Sequence, residues 1–187
     1  MPKSRTLSAI ALLATLSPAL RAGTLPRPAP DFKINLTNGQ QVSLSQFKGK
    51  TVALIFILTY CPHCQKIVSF LIQDQKEYSP HGFQVLASAI EDGAAAAVPG
   101  FLKKFNPPFP VGSNPRMPVL DFLQHPAAVR LSMPELVFID RQGMIREQYS
   151  GDSPFLSDEA QAEKNLRTKI EELLSESAPK KRAPARK

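Results

Sequence analysis

Cys61-Pro62-His63-Cys64 holds the only two cysteines of this 187-residue chain. Two thiols at that spacing can close a small disulfide and reopen it, which moves two electrons. The stretch follows Thr51-Val-Ala-Leu-Ile-Phe-Ile-Leu58, an apolar run of strand length. A strand that delivers C-x-x-C to the start of a helix sets the first sulfur against unpaired N–H groups and partial positive charge, and both stabilise a thiolate. The thiolate, and not the thiol, attacks a disulfide. An imidazole at His63 can donate to that thiolate or stabilise it by charge. Two other uses of the cysteines compete with exchange. A zinc site needs a second ligand pair, and outside the motif the chain offers only His81 and His125 as histidines. An inert staple gains little, because so short a loop constrains little unfolded-chain entropy.

The elements that must position these residues can be read from pattern. Residues 24–30 form a Pro-rich extended lead-in, and 31–42 a short edge hairpin turning at Asn38-Gly39. Ser43 to Phe47 reads as a single helical turn stopped at Gly49. The run 51–58 is a strand buried on both faces. Residues 61–78 predict a long helix whose stripe is Ile67, Val68, Leu71 and Ile72. A second buried strand spans 83–90. Asp92 is a candidate cap for a helix over 94–105, with Pro99 able to push its start to Gly100. Short helices fall within 119–131, broken at Pro126. A strand at 135–140, a turn at 141–143 and a partner at 144–149 form a hairpin. The last helix covers 157–175, capped by Ser157 or Asp158. The fold class is α/β, a mixed sheet with helices on both faces.

Charge and composition narrow the function. Lys3 and Arg5 precede an apolar stretch from Leu7 to Leu16, and small residues follow at Ser17-Pro18-Ala19 and Ala22. That order predicts a secretory signal over 1–22, too short to favour a spanning anchor, and hence an exported, periplasmic or extracytoplasmic protein. Residues 178–187 form a basic tail with two prolines, expected to be disordered and solvated. The formal charge of +7 rests on these two ends. Positions 23–178 hold 15 basic and 16 acidic residues, a net of −1. The body therefore has no basic field for nucleic acid. Residues 23–177 suffice for one domain with one core.

Four local patterns extend the reading. Ala29-Pro30-Asp31-Phe32 precedes Val42-Ser-Leu-Ser-Gln-Phe-Lys-Gly-Lys50; Tyr60 precedes the cysteine motif; Phe109-Pro110-Val111 follows the second helix; and Met133-Pro134-Glu135-Leu-Val-Phe-Ile-Asp140-Arg-Gln-Gly143 lies about 70 residues past Cys64. With the element order, these resemble the thioredoxin superfamily over roughly residues 29–176. More narrowly they resemble its exported TlpA-like thiol–disulfide oxidoreductases, a redoxin-type body, here carrying a DsbA-like C-P-H-C site. The resemblance implies a thioredoxin fold with an N-terminal hairpin extension and an inserted helix. It implies that Cys61 is the exposed nucleophile and Cys64 the buried resolving thiol. Pro62 and His63 then set the redox poise. It also implies a cis peptide bond before Pro134, and a Met133 backbone beside the cysteines that pairs with extended substrate. Tyr60 stands where the family has tryptophan. Glu135 stands where some members carry a carboxylate able to shuttle protons for the buried thiol. Ile55 replaces the buried acid that thioredoxin places six residues before its first cysteine. The peroxiredoxin pattern fails, with Leu54 and Leu58 at its proline and threonine positions.

These readings predict an exported thiol–disulfide oxidoreductase. Its site residues are Cys61, Cys64, Pro62, His63 and Pro134, with Met133, Tyr60 and Glu135 toward substrate. It needs no metal or organic cofactor. Its partners are protein thiols and disulfides and a redox partner for which the membrane is one location; it binds no nucleic acid and is a monomer. The body argues for a reductant and the Pro-His dipeptide for an oxidase or isomerase, so direction stays open. A copper-binding metallochaperone using both thiolates and Met133, and a binding domain with a vestigial site, are the alternatives.

Overall fold

The computed structural model describes residues 24–176. The expected signal (1–22) and basic tail (178–187) lie outside the described residues. Eight strands form one sheet: β1 (Arg27–Pro28), β2 (Lys33–Asn35), β3 (Gln41–Ser43), β4 (Thr51–Ile57), β5 (Phe83–Ala89), β6 (Val111–Ser113), β7 (Glu135–Ile139) and β8 (Met144–Tyr149). Their order across the sheet is β1-β8-β7-β4-β5-β6-β2-β3. The pairs β4/β5 and β5/β6 are parallel and the others antiparallel, which makes the sheet mixed. Four helices surround it: α1 (Pro62–Tyr78), α2 (Ala94–Phe105), α3 (Arg116–Leu123) and α4 (Glu159–Glu176).

Strand β4 is central, and every one of its residues is buried. That is why its sequence is continuously apolar instead of alternating. Its side chains feed two cores. Ala53, Ile55 and Ile57 join Ile67 and Leu71 of α1, Val98 of α2 and Leu166 and Ile170 of α4. Leu54 and Phe56 join Leu120 and Phe122 of α3 on the other face. There the rings of Phe32, Phe56 and Phe122 meet with centroids 5.1–5.9 Å apart. The helices therefore cover both faces, as the pattern predicts.

The chain differs from the pattern in three places. Asp92 does not cap α2: Gly93 holds that position in the left-handed region (φ 78°), with no side-chain cap. The turn out of β5 needs a positive φ, which glycine supplies at no steric cost. The helix also runs through Pro99, which is exposed. Helix α3 starts at Arg116, earlier than expected, because Pro118 sits in its first turn where no N–H is required. It ends at Gln124 (φ 52°), and residues 124–134 form no further helix. Finally, β1 pairs with β8. Two residues are too few for a periodic signal. Arg27 in β1 is buried, and its guanidinium donates to the Phe122 carbonyl (2.9 Å) and to Gln148 (3.3 Å). The C-terminal end of α3 thus holds this cation without a carboxylate. Asp158 does cap α4, its Oδ1 accepting from the N–H groups of Ala160 (3.0 Å) and Gln161 (3.4 Å).

Candidate active site

The buried end of β4 and the exposed start of α1 meet at Leu58-Thr59-Tyr60. The Cys61 N–H donates to the Leu58 carbonyl (3.1 Å), which turns the chain into the helix. Cys61 is the N-cap residue, with extended backbone (φ −75°, ψ 118°). Its Sγ accepts the Cys64 N–H at 3.3 Å. A sulfur thus does the work that a Ser or Asp oxygen does in most caps, and a negative sulfur does it better. Pro62 fills the first helical position, where a missing N–H costs nothing. The two cysteines are unbridged; Cys61 is half-buried and Cys64 is fully buried. Burial, and then the bond to Cys61, push the Cys64 thiol up well beyond its ordinary range.

Cys61 opens into a groove of about 850 Å³ whose walls include Tyr60, Ile90, Glu91, Arg130 and Met133. Tyr60 is 68 % exposed at its rim. The Met133–Pro134 bond is cis, and Met133 lines the same groove as Cys61. The sequence therefore brings Cys61, Tyr60, Pro62 and Met133 to one surface. Its implied acid is elsewhere. Along β7, Leu136 and Phe138 enter the core that holds Cys64, whereas Val137 and Ile139 enter the other. Glu135 is the register partner of Phe56, so it shares the second side. It is buried, and burial followed by Asp152 pushes its carboxyl up to about 7. Ile55, in the place of thioredoxin's acid, is fully buried on the Cys64 side.

His63 does not point into solvent. Its side chain is 24 % exposed, with Nδ1 3.8 Å from Glu159 Oε1 at the start of α4. Its Nε2 is buried with no hydrogen-bond partner.

Four residues that sequence reasoning missed complete the site: Glu91, Gln65, Lys104 and Gly151. Glu91, just past β5, takes the Thr59 N–H on Oε1 (3.0 Å) and also accepts from the Thr59 hydroxyl. It leaves Oε2 buried without a partner. Gln65 donates to the Thr59 carbonyl (2.7 Å), and Lys104 donates to Gln65 (2.9 Å). The turn before Cys61 is thereby clamped from three elements. Gly151, beyond β8, lies against the Met133–Pro134 peptide. Its N–H donates to Ser132 O (2.6 Å), and a Cβ there would stand 2.3 Å from Met133 O. Only glycine allows that approach. The signal available for it was a lone glycine after an alternating strand; Glu91 gave none, being one acid in a turn.

Among the described residues, no group of three or more His, Cys, Asp and Glu side chains is placed to hold a metal ion.

Known proteins resemble this chain in sequence and fold. The family described as Redoxin matches residues 26–166. The thiol-disulfide oxidoreductase ResA of Bacillus subtilis (strain 168) is 33% identical over 93 residues, covering 50% of this chain and 51% of that protein. This chain thus spans about half the length of that relative. ResA of Bacillus thuringiensis subsp. konkukian (strain 97-27) is 25% identical over 126 residues, 67% of this chain and 69% of that one. Among solved structures, a protein provisionally described as thiol:disulfide interchange protein DsbE from Chlorobium tepidum has a TM-score of 0.62 at 28% identity, covering 78% of this chain and 96% of its own. A thioredoxin family protein from Chlorobium tepidum TLS has a TM-score of 0.65 at 22% identity, over 82% and 99% of the two chains, and likewise shows the fold. On the match of the Redoxin pattern to most of its length and on this thioredoxin-like sheet, the chain belongs to the Redoxin family.

Proposed function

We propose that this protein is a thiol–disulfide oxidoreductase that exchanges disulfides with protein cysteines through Cys61 and Cys64. One observation carries the reading: an accessible sulfur caps α1 inside an open groove, and a second sulfur lies sealed one turn behind it. In the reducing direction, the Cys61 thiolate attacks one sulfur of a substrate disulfide. A Cys61–substrate bond forms and the second substrate sulfur leaves as thiolate. Cys64 then attacks Cys61 Sγ and gives its proton to the departing thiolate. The protein is left with a disulfide, two electrons poorer, and the substrate with two thiols. The oxidising direction is the reverse. The named relatives ResA and DsbE support exchange as the chemistry.

The substrate chain lies along Met133 as an added strand, with Tyr60 at the rim. Pro62 and His63 set the poise. The basic-then-apolar start of the sequence supports export across a membrane, with a redox partner at the membrane surface and a monomeric protein in between. No helix among the described residues is long and apolar enough to cross a membrane. The copper alternative gains no support: the named relatives are thiol–disulfide oxidoreductases, and among the described residues no group of three or more His, Cys, Asp and Glu is placed around the two sulfurs.

The test is the reduction potential of the Cys61–Cys64 pair, by equilibration in glutathione buffers and mass spectrometry of alkylated thiols. A value near about −120 mV makes the protein a disulfide donor or isomerase, and one near about −270 mV a reductant. A chain that forms no reversible Cys61–Cys64 couple overturns the proposal.

A further inference from the structure

The His63 ring sits in the first turn of helix α1. Its Nε2 is buried and unpartnered, and leaving a buried polar nitrogen unpaired is costly. A ring free to turn would swing that nitrogen into water. It stays because its other nitrogen faces a carboxylate across the helix pair: Nδ1 stands 3.8 Å from Glu159 Oε1. That separation is too long for a hydrogen bond and right for an ion pair. The neighbouring acid Asp158 is already engaged in capping α4. Glu159 is the first residue of α4, where that helix's own dipole favours an anion.

From this geometry we infer that Glu159 is a positioning residue for disulfide exchange: it holds the His63 ring in the first turn of α1, where the ring supports the Cys61 thiolate. The thiolate belongs to the dithiol form, so a stabilised thiolate makes the disulfide a stronger oxidant. Glu159 touches neither cysteine and acts only through the ring. This inference rests on the exchange reading above.

The sign of the effect separates this role from its alternatives. A carboxylate acting directly on Cys61 through space would destabilise the thiolate, so its removal would make the protein more oxidising. A carboxylate acting through His63 does the opposite, and its removal makes the protein more reducing. A residue that merely stabilises the start of α4 changes melting and leaves the potential alone.

The experiment measures the glutathione equilibrium of the Cys61–Cys64 couple at pH 7 in wild type, Glu159→Gln, Glu159→Asp, His63→Ala and the His63→Ala/Glu159→Gln double variant. The unaltered protein must first show a reversible couple; if it does not, the exchange reading itself has failed. Given that couple, Glu159→Gln is expected to favour the disulfide form at least threefold, about 15 mV toward the reducing end by the two-electron conversion. Glu159→Asp is expected to recover part of that shift. In the His63→Ala background the same Glu159→Gln change is expected to move the equilibrium less than 1.5-fold. A shift toward the oxidising end, no shift in Glu159→Gln, or the same shift with and without His63 overturns the inference. Urea melts of each variant confirm that the comparison is made between folded proteins.

Discussion

Helix α1 carries incompletely partnered buried polar groups at two places, and they do different work. At its N-terminus are Cys61, His63 and Cys64, with Glu91 facing the same turn. Three turns on, Asp74 is sealed against α4 at 1 % exposure, and its Oδ2 has no partner. Burial pushes the Asp74 carboxyl from its ordinary 3.8 up to about 7, against the pull of Arg167. That pull is weak because the guanidinium is committed elsewhere. Arg167 Nη2 holds both Glu77 oxygens at 2.6 Å, while Nη1 comes only within 3.7 Å of Asp74. Tyr78 donates to Glu171 (2.6 Å) and closes the seam. Both clusters break the rule that buried polar groups are satisfied. Cys61 and Glu91 of the first line a groove, whereas Asp74 is sealed. A strained polar group is a reactive site where substrate can reach it, and a stability cost where it cannot.

The largest effect that separates the two clusters is loss of exchange. Cys61→Ser is expected to reduce turnover of a disulfide substrate to background. Cys64→Ser is expected to keep the first attack and accumulate the Cys61–substrate mixed disulfide, visible as an added mass that reductant removes. If Cys64→Ser turns over at the wild-type rate, the two sulfurs do not act in sequence.

Next in size is Gly151, which belongs to the reactive end although it lies on another strand's exit. Gly151→Ala puts a Cβ 2.3 Å from Met133 O, a contact that only backbone movement relieves. The expected cost is about 2–4 kcal/mol in urea unfolding, with turnover falling as the Met133 segment shifts. Gly100 is the control. It is inside α2, and a Cβ there meets nothing within 4 Å. Gly100→Ala is expected to stabilise by about 0.5–1 kcal/mol and to leave turnover unchanged.

The sealed cluster should show itself in pH dependence instead. A carboxyl raised in the folded chain keeps its proton there while the unfolded chain has lost its own. Folding then takes up a proton between about 4 and about 7, and the stability this gives is lost as pH climbs through that window. Asp74→Asn is expected to flatten this decline and to gain on the order of 2 kcal/mol at pH 8. Glu135, also raised to about 7, contributes a decline of the same sign that remains in Asp74→Asn and is removed by adding Glu135→Gln. Turnover is expected to follow neither change at Asp74. A pH-independent wild type would break the comparison.

What the sequence discloses about these two clusters follows from the range of the forces involved. Cys61, Pro62 and Cys64 were legible because a cap, a first-turn proline and a seven-residue strand that is apolar after Thr51 are all local signals. The 51–57 strand, the 62–78 helix and the cis Met133–Pro134 bond follow pattern or family position within a residue or two. Gly151 and Glu91 were not legible, because each is fixed by a contact with a segment 18 to 32 positions away. His63 was legible as a neighbour of the thiolate but not as a partner of Glu159, since only the packing of α4 on α1 joins them. Asp74 escaped for the same reason: nothing local marks it, and it is buried only because α4 packs on α1.

The smallest expected effect sharpens the comparison most, because Glu91 has features of both clusters. Like Asp74 it has a buried oxygen without a partner; like Tyr60 it borders the groove of Cys61. Its Oε1 does identifiable structural work, receiving the Thr59 N–H at 3.0 Å and the Thr59 hydroxyl. Glu91→Gln keeps an oxygen for those two donors and removes the charge. If Glu91 serves only as a clamp, the variant should lose no more than about 1 kcal/mol in urea unfolding, the worth of one charge-assisted bond over a neutral one, and should keep its kcat/KM. If the free oxygen meets substrate, kcat/KM should fall about three- to tenfold while unfolding barely changes. The groove favours the second outcome, since the sealed Asp74 shows what the same orphaned oxygen looks like where no substrate can arrive. Equal losses in stability and in kcat/KM would place Glu91 with Asp74 and narrow the reactive end of α1 to its two sulfurs and His63.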